Sequence, residues 1–232
     1  MSELLRCQQL TKQYGKIIAV DHIDLTLESG KIIGLLGPNG SGKTTLIKMI
    51  NGLLKPTFGN LTVCGYAPGA ESKRLVSYLP DNPYLGDGMT VKQVVALFTD
   101  FYEDFRPQVA YEMLDRLQVS VDSKLKALSK GNKEKVSLIL AMSRNAMLYV
   151  LDEPIAGVDP AARDYIISTI LNNYNPQASV IISTHLIADI EQVLDDVIFI
   201  KHGNIVLHNT VDGIREEHGK SVDELFREVF KW

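Results

Sequence analysis

Nine residues, Gly37-Pro38-Asn39-Gly40-Ser41-Gly42-Lys43-Thr44-Thr45, constrain the fold of this chain more than any other stretch. They follow the apolar run Lys31-Ile32-Ile33-Gly34-Leu35-Leu36 and lead into Thr45-Leu46-Ile47-Lys48-Met49-Ile50, which reads as a helix. The stretch fits G-x-x-x-x-G-K-[ST], whose glycines let successive backbone N–H groups curl around an anion. Lys43 is then placed to reach β- and γ-phosphates, Thr44 to ligate Mg²⁺, and the helix N-terminus to face the phosphates with its positive end. A turn that merely joined a strand to a helix would not need the lysine. The order strand, glycine loop, helix predicts a nucleoside triphosphate site formed by Gly37, Pro38, Asn39, Gly40, Ser41, Gly42, Lys43, Thr44 and Thr45.

The rest of the composition bounds what that site serves. A chain of 232 residues, 45% hydrophobic and 22% charged, can bury a full core as one domain or one domain with a subdomain. Net charge is −4, which argues against a basic footprint for nucleic acid. Cys7 and Cys64 lie far apart without metal-type spacing and read as reduced thiols. The opening Met1-Ser2-Glu3-Leu4-Leu5-Arg6-Cys7 lacks the apolar core of a signal peptide, and the apolar windows Val136–Met142 and Met147–Leu151 are too short to cross a bilayer. Any service to a membrane is expected from the water side.

Strand-like runs occupy Leu4–Leu10, Ile17–Val20, Ile23–Leu27 and Lys31–Leu36, and, after the loop and its helix, Asn60–Val63 and Val76–Leu79. From about Thr90 to Arg144 the periodicity becomes helical: Val91, Val94, Val95 and Phe98 recur on one face, and Tyr111, Leu114 and Leu117 continue the spacing. This predicts an inserted helical subdomain. Strands return at Met147–Leu151, Ser179–Ser183 and Val197–Ile200 with helices between, the alternation of a parallel α/β sheet. Such sheets bind ligands at the C-terminal ends of their strands. Val222, Leu225, Phe226, Val229 and Phe230 form a stripe that packs back onto the sheet or docks a membrane partner.

Ala146–Pro154 reads as a buried strand ending in two acids. Carboxylates at the tip of an apolar strand carry a desolvation cost that a cation offsets. Asp152 is expected to hold Mg²⁺ and Glu153 to take a proton from water attacking the γ-phosphate.

Several further segments appear in a fixed order: Tyr14 before the loop, Leu128-Ser129-Lys130-Gly131-Asn132, the acid pair, Ala156-Gly157-Val158-Asp159-Pro160, and Ser183-Thr184-His185. Together with the glycine loop, over nearly the whole chain, this order resembles the nucleotide-binding subunits of ATP-binding cassette (ABC) transporters. The resemblance implies an α/β fold with a P-loop NTPase (RecA-like) parallel-sheet core, an N-terminal antiparallel β subdomain and an inserted α-helical subdomain. One domain over 1–232 is implied, with 1–86 and 146–232 forming the β subdomain and core and 87–145 the helical part. Tyr14 would stack on adenine, its other reading being a strand-end aromatic covering the core. His185 would contact the γ-phosphate and position water. Asp159 would face the partner subunit and also cap the helix that starts at Pro160. Ser129 and Gly131 would grip the γ-phosphate bound by the opposite subunit.

Two departures from the family's pattern matter. The signature reads LSKGN instead of LSGGQ, so Lys130 and Asn132 replace glycine and glutamine while Ser129 and Gly131 remain. Asp81 stands where the family has glutamine after Pro80; a carboxylate is the stronger Mg²⁺ ligand but donates no hydrogen bond, and Asn82 can take the role by a one-residue shift. The resemblance further implies an ATPase that uses ATP and Mg²⁺ and works as a homodimer or heterodimer with another such subunit. It would drive a separate transmembrane permease from the inner face of the cell membrane, in the manner of exporters of peptides, antibiotics or lipids. The permease is expected to dock near Asp81–Met89, where Pro80, Pro83, Tyr84, Leu85, Gly86 and Gly88 suggest exposed apolar groups. A soluble cassette ATPase acting on ribosomes or DNA and an unrelated phosphate-loop kinase are the alternatives.

Overall fold

The structure, a computed structural model, describes residues 3–81, 85–86, 88–156, 158, 160–175 and 177–231. Two long strands, β1 (Glu3–Tyr14) and β2 (Ile17–Glu28), open the chain, followed by β3 (Ile32–Leu36), α1 (Lys43–Ile50), β4 (Phe58–Val63), α2 (Ala70–Leu75) and β5 (Val76–Leu79). Next come α3 (Val91–Phe101), α4 (Pro107–Arg116) and α5 (Lys130–Met142), then β6 (Leu148–Asp152), α6 (Pro160–Asn173), β7 (Ser179–Thr184) and α7 (Ile187–Ile190). The chain closes with β8 (Asp196–Lys201), β9 (Asn204–Thr210), α8 (Val211–His218) and α9 (Val222–Val229).

Among the described residues the strands form two sheets. The first is antiparallel, in the order β2-β1-β4; the second runs β5-β6-β7-β3-β8-β9, parallel except for β9. The central strands are buried on both faces, which explains their unbroken apolar runs. Along β3, Ile32 and Leu36 enter one core while Ile33 and Leu35 enter the other; along β6, Tyr149 and Leu151 separate in the same way from Leu148 and Val150. The first core takes in residues of α3 to α6 and α9, and the second takes in α1 and the antiparallel sheet. The large sheet therefore holds the helical segment on one face and the antiparallel sheet on the other.

Arginines anchor the helical segment. The Arg144 guanidinium lies 3.8 Å from the centre of the Tyr102 ring, donates to Asp104 Oδ1 (2.6 Å), and reaches the carbonyls of Arg74 and Val76 at the start of β5. Arg106 donates to the carbonyls of Met142, Arg144 and Asn173. Such multiple donations are a property of the guanidinium fork.

Two details differ from the sequence reading. The break expected between Ile17–Val20 and Ile23–Leu27 is a bulge inside one strand: His22 takes a left-handed backbone (φ 47) and its N–H donates to Thr11 Oγ1 at 3.0 Å. Polar Asp21 and His22 interrupt the apolar alternation without ending the strand. Leu85, expected to expose an apolar group, is half-buried against the first core, as is Met89 at the end of that loop; Pro83 and Tyr84 lie outside the described residues. The C-terminal stripe packs inward, with Val222, Leu225 and Phe230 buried and Phe226 edge-on to Phe199. Cys7 and Cys64 are free thiols, and burial, with Asp24 nearby, pushes Cys7 up to about 12. No helix among the described residues is long and apolar enough to cross a membrane.

Candidate nucleotide-binding and hydrolytic site

Strands β6, β7 and β3 are neighbours, and their C-terminal ends deliver Asp152 and Glu153, His185, and the glycine loop to one edge of the sheet. The loop has two glycines that no other residue replaces. A Cβ on Gly37 would stand 2.4 Å from the Ile200 carbonyl, and one on Gly42 2.4 Å from the Ala19 carbonyl, with φ +115 besides. The loop is tied down from β8–β9: the Gly203 N–H donates to the Ser41 carbonyl at 2.8 Å. Residues 39–45, Ala19 and Glu153 line the resulting cleft, of about 300 Å³. No acidic residue stands in the first turn of α1, so no carboxylate of its own helix competes for its orphan N–H groups.

Lys43 is only 6% exposed. Its Nζ donates to the carbonyls of Gly37 (2.7 Å) and Pro38 (3.2 Å), which holds the loop open. Burial pulls its pKa below 10.5, while the charges of Glu153 and then Asp152 pull it back up. The cation is thus held, desolvated, beside the place an anion would occupy.

Asp152 is buried, and its Oδ1 accepts from Ser183 Oγ at 2.5 Å. Its Oδ2, equally buried, has no hydrogen-bond partner among the described residues. Burial raises the Asp152 pKa; the Ser183 hydroxyl lowers it, Asp81 and Glu153 raise it, and the Thr44 hydroxyl lowers it. An orphaned, buried carboxylate oxygen near a threonine hydroxyl and a second carboxylate is the donor set a hard cation takes, so these residues fit Mg²⁺. Among the described residues no three His, Cys, Asp or Glu side chains form a metal cage.

Glu153 sits in a left-handed backbone conformation (φ 52), a strained place for a non-glycine residue. Its N–H donates to the Ser183 carbonyl (3.0 Å) and hydroxyl (3.1 Å), which offsets that strain. The turn aims its side chain into the cleft, where Oε2 lies 3.0 Å from His185 Nδ1. Glu153 is shielded and His185 about half exposed, so the pair presents a carboxylate backed by an imidazole open to solvent.

Tyr14 ends β1 and is 48% exposed, which removes the core-covering reading; Lys12 Nζ lies 5.3 Å from the centre of its ring. Ser129 caps α5, accepting from the Asn132 N–H at 3.3 Å. Gly131 is unhindered, since a Cβ there would meet nothing within 4 Å. Lys130 points outward and pairs with Glu134 at 3.8 Å, so its bulk does not crowd the helix start. None of residues 128–132 lines the cleft. Asn82, Gly157 and Asp159 lie outside the described residues.

The family described as ABC transporter matches residues 20–156, more than half of the chain and inclusive of the glycine loop and the acid pair. The chain belongs to the ABC transporter family. The SkfA peptide export ATP-binding protein SkfE of Bacillus subtilis (strain 168) is 30% identical to it over 99% of this chain and 98% of its own. The Nod factor export ATP-binding protein I of Rhizobium sp. (strain N33) is 30% identical over 93% of this chain and 74% of its own. A solved ATP-binding subunit of an ABC transporter superposes with TM-score 0.87 at 30% identity, covering 98% of this chain and 100% of that one. This ABC protein is therefore an ATP-binding ATPase subunit that powers a transporter.

Sequence reasoning missed several supports of this ABC site. Ser183 binds Asp152 and receives Glu153, although it reads in the sequence only as part of Ser183-Thr184-His185. Gly203 ties down the loop from the turn between β8 and β9, and the Ala19 carbonyl of β2 packs against Gly42. The signal for Gly203 was the His202-Gly203 turn dipeptide; for Ala19 there was none.

Proposed function

We propose that this chain hydrolyses MgATP in a head-to-tail pair, with each nucleotide held between one glycine loop and the opposite Ser129–Gly131 segment. The pair would drive a separate membrane-spanning permease from the inner face of the cell membrane. The observation that carries this reading is a division of parts: the loop and Glu153 line one cleft, with His185 bonded to Glu153 and Asp152 interacting with Thr44 and Glu153, whereas Ser129 caps α5 outside it. The helix start at Ser129 is thus available to a second subunit's nucleotide. The chain acts as one cassette, with 87–145 as its helical subdomain, and the pair contains either two copies or a related subunit.

In the proposed reaction Tyr14 stacks on adenine, the N–H groups of residues 39–45 and Lys43 hold the β- and γ-phosphates, and Asp159 faces the opposite subunit. Mg²⁺, when bound, neutralises charge on the phosphate oxygens; Thr44, Asp152 and Asp81 are the residues that would hold it. Glu153 accepts a proton as water attacks the γ-phosphorus and the bond from phosphorus to the β–γ bridging oxygen breaks, releasing ADP and phosphate; His185 orients Glu153 and the γ-phosphate. The relatives named for export of a peptide and of Nod factor support export as the direction, with peptides, antibiotics or lipids as the substrate class.

The pair is tested by the dependence of specific activity on protein concentration, together with Gly131→Ala. In the isolated chain the added methyl has room, so thermal stability is expected to hold or rise. Turnover is expected to fall, because the space at Gly131 serves the opposite γ-phosphate. Specific activity that stays high and flat on dilution, with an unimpaired Gly131→Ala, would remove the paired site. Co-purification with a ribosome or DNA instead of a membrane protein would favour the soluble alternative.

Asp81→Ala tests the metal reading. Asp81 acts on Asp152 through space, so its removal is expected to raise the Mg²⁺ concentration for half-maximal hydrolysis several-fold. An unchanged Mg²⁺ titration would take Asp81 out of the site.

A further inference from the structure

One side chain that the catalytic reading leaves unused closes a ring around the reacting groups. Arg163, on the second turn of α6, is half-buried. Its Nη1 donates to Asp189 Oδ2 at 2.7 Å, and its Nε donates to the Val158 carbonyl at 3.2 Å. Each contact leads back to a segment that carries one member of the hydrolytic pair. Val158 belongs to the turn that begins at Glu153, where the Ala156 N–H donates to the Glu153 carbonyl (3.1 Å) and the Val158 N–H to the Ile155 carbonyl (3.4 Å). Asp189 lies on α7, which starts two residues after His185. The Glu153–His185 contact at 3.0 Å completes the circuit.

We infer that Arg163 is a positioning residue for hydrolysis: its guanidinium sets the separation of the Glu153 turn from the His185 segment, and so the alignment of the two side chains across the attacking water. The inference rests on the catalytic roles proposed for Glu153 and His185. Two features favour positioning over simple bracing. The Arg163–Asp189 pair is partly exposed, 23% and 34% at the side chains, and ion pairs in that setting add little to stability. The two segments it joins are also the two that carry reacting groups. The geometry requires a fork: an ammonium can pair with Asp189 or reach the Val158 carbonyl, whereas a guanidinium serves both from one plane.

The test compares Arg163→Ala, Arg163→Lys, Asp189→Asn and the Arg163→Ala/Asp189→Asn double variant in the full chain, with Glu153→Gln beside them. Arg163→Ala is expected to lower kcat about tenfold or more, as small misplacements of catalytic groups do. KM for ATP should stay within about twofold, because Arg163 touches no part of the phosphate cleft. Asp189→Asn should show a smaller loss of the same kind, and the double variant should be no slower than Arg163→Ala alone, the mark of one shared unit. Arg163→Lys should recover only part of the rate. Should Arg163→Ala fail to fold, Asp189→Asn alone carries the comparison. Wild-type kcat in the variants, with Glu153→Gln inactive, overturns the positioning role alone. Additive losses, or losses matched by an equal fall in ATP binding, also overturn it. A Glu153→Gln protein that still turns over ATP removes the catalytic reading and the positioning role together.

Discussion

Glu153→Gln is expected to reduce ATP turnover by about 10²–10⁴-fold, the usual contribution of a general base, while ATP affinity stays within a few-fold of wild type. The affinity follows from the parts that remain. The glycine loop, Lys43 and the α1 N-terminus are untouched, and a glutamine keeps the shape of the side chain in the cleft. The backbone at this position is held by N–H donation to Ser183 at 3.0 Å, which does not depend on the side chain. The rate follows from the atom lost. An amide oxygen is far too weak a base to take a proton from water, although it can still accept from His185. A protein that binds ATP and cannot hydrolyse it should accumulate as the nucleotide-bound pair, visible as an earlier peak in size-exclusion chromatography when ATP is present. Turnover near wild type would assign the base to another residue, and a variant that lost ATP binding equally would show that Glu153 mainly shapes the cleft.

How much of this was legible in advance depends on whether the signal is local. The glycine loop was readable because its chemistry is covalently contiguous: the residues that curl the backbone also carry the lysine and the hydroxyl. Asp152 and Glu153 were readable because acids at the end of the run Leu148–Leu151 contradict their surroundings unless something binds there. The helical periodicity of Val91, Val94 and Val95 was equally direct, and all three are buried. Strand β9 was not seen, since Asn204–Thr210 is an edge strand of half-exposed and exposed residues with no continuous apolar face. The six residues of α2 are too few to show a period. Arg163 and Ser183 were illegible as functional parts for a different reason: their meaning lies in partners 26 and 31 positions away. A single sequence does not specify such pairings, whereas the fold places them at bonding distance.

Lys43→Ala is expected to abolish what Glu153→Gln preserves, weakening ATP binding by about 10²–10⁴-fold, the loss of two charge-assisted hydrogen bonds at roughly 1.5–3 kcal/mol each. Lys43 is already buried and bonded to the Gly37 and Pro38 carbonyls, so little of its ordering or desolvation is left to do when a triphosphate arrives. Burial has depressed its pKa, and the nearby Glu153 and Asp152 only partly reverse this. A cation so placed gains more from a polyphosphate than a solvated surface lysine would. Its removal costs twice: the phosphates lose a donor, and two loop carbonyls lose the group that keeps the cleft open. Lys43→Arg separates charge from shape, because a guanidinium keeps the charge but does not fit a position this enclosed; it is expected to bind nearly as weakly as alanine. The measurement is the thermal shift on adding ATP. At a nucleotide concentration about 100 times the wild-type Kd, wild type gains about 2.7 kcal/mol, whereas a variant with 100-fold weaker binding gains about 0.4 kcal/mol. Equal shifts in wild type and Lys43→Ala would mean that the phosphates are held elsewhere and that the nucleotide site is not the cleft beneath Glu153.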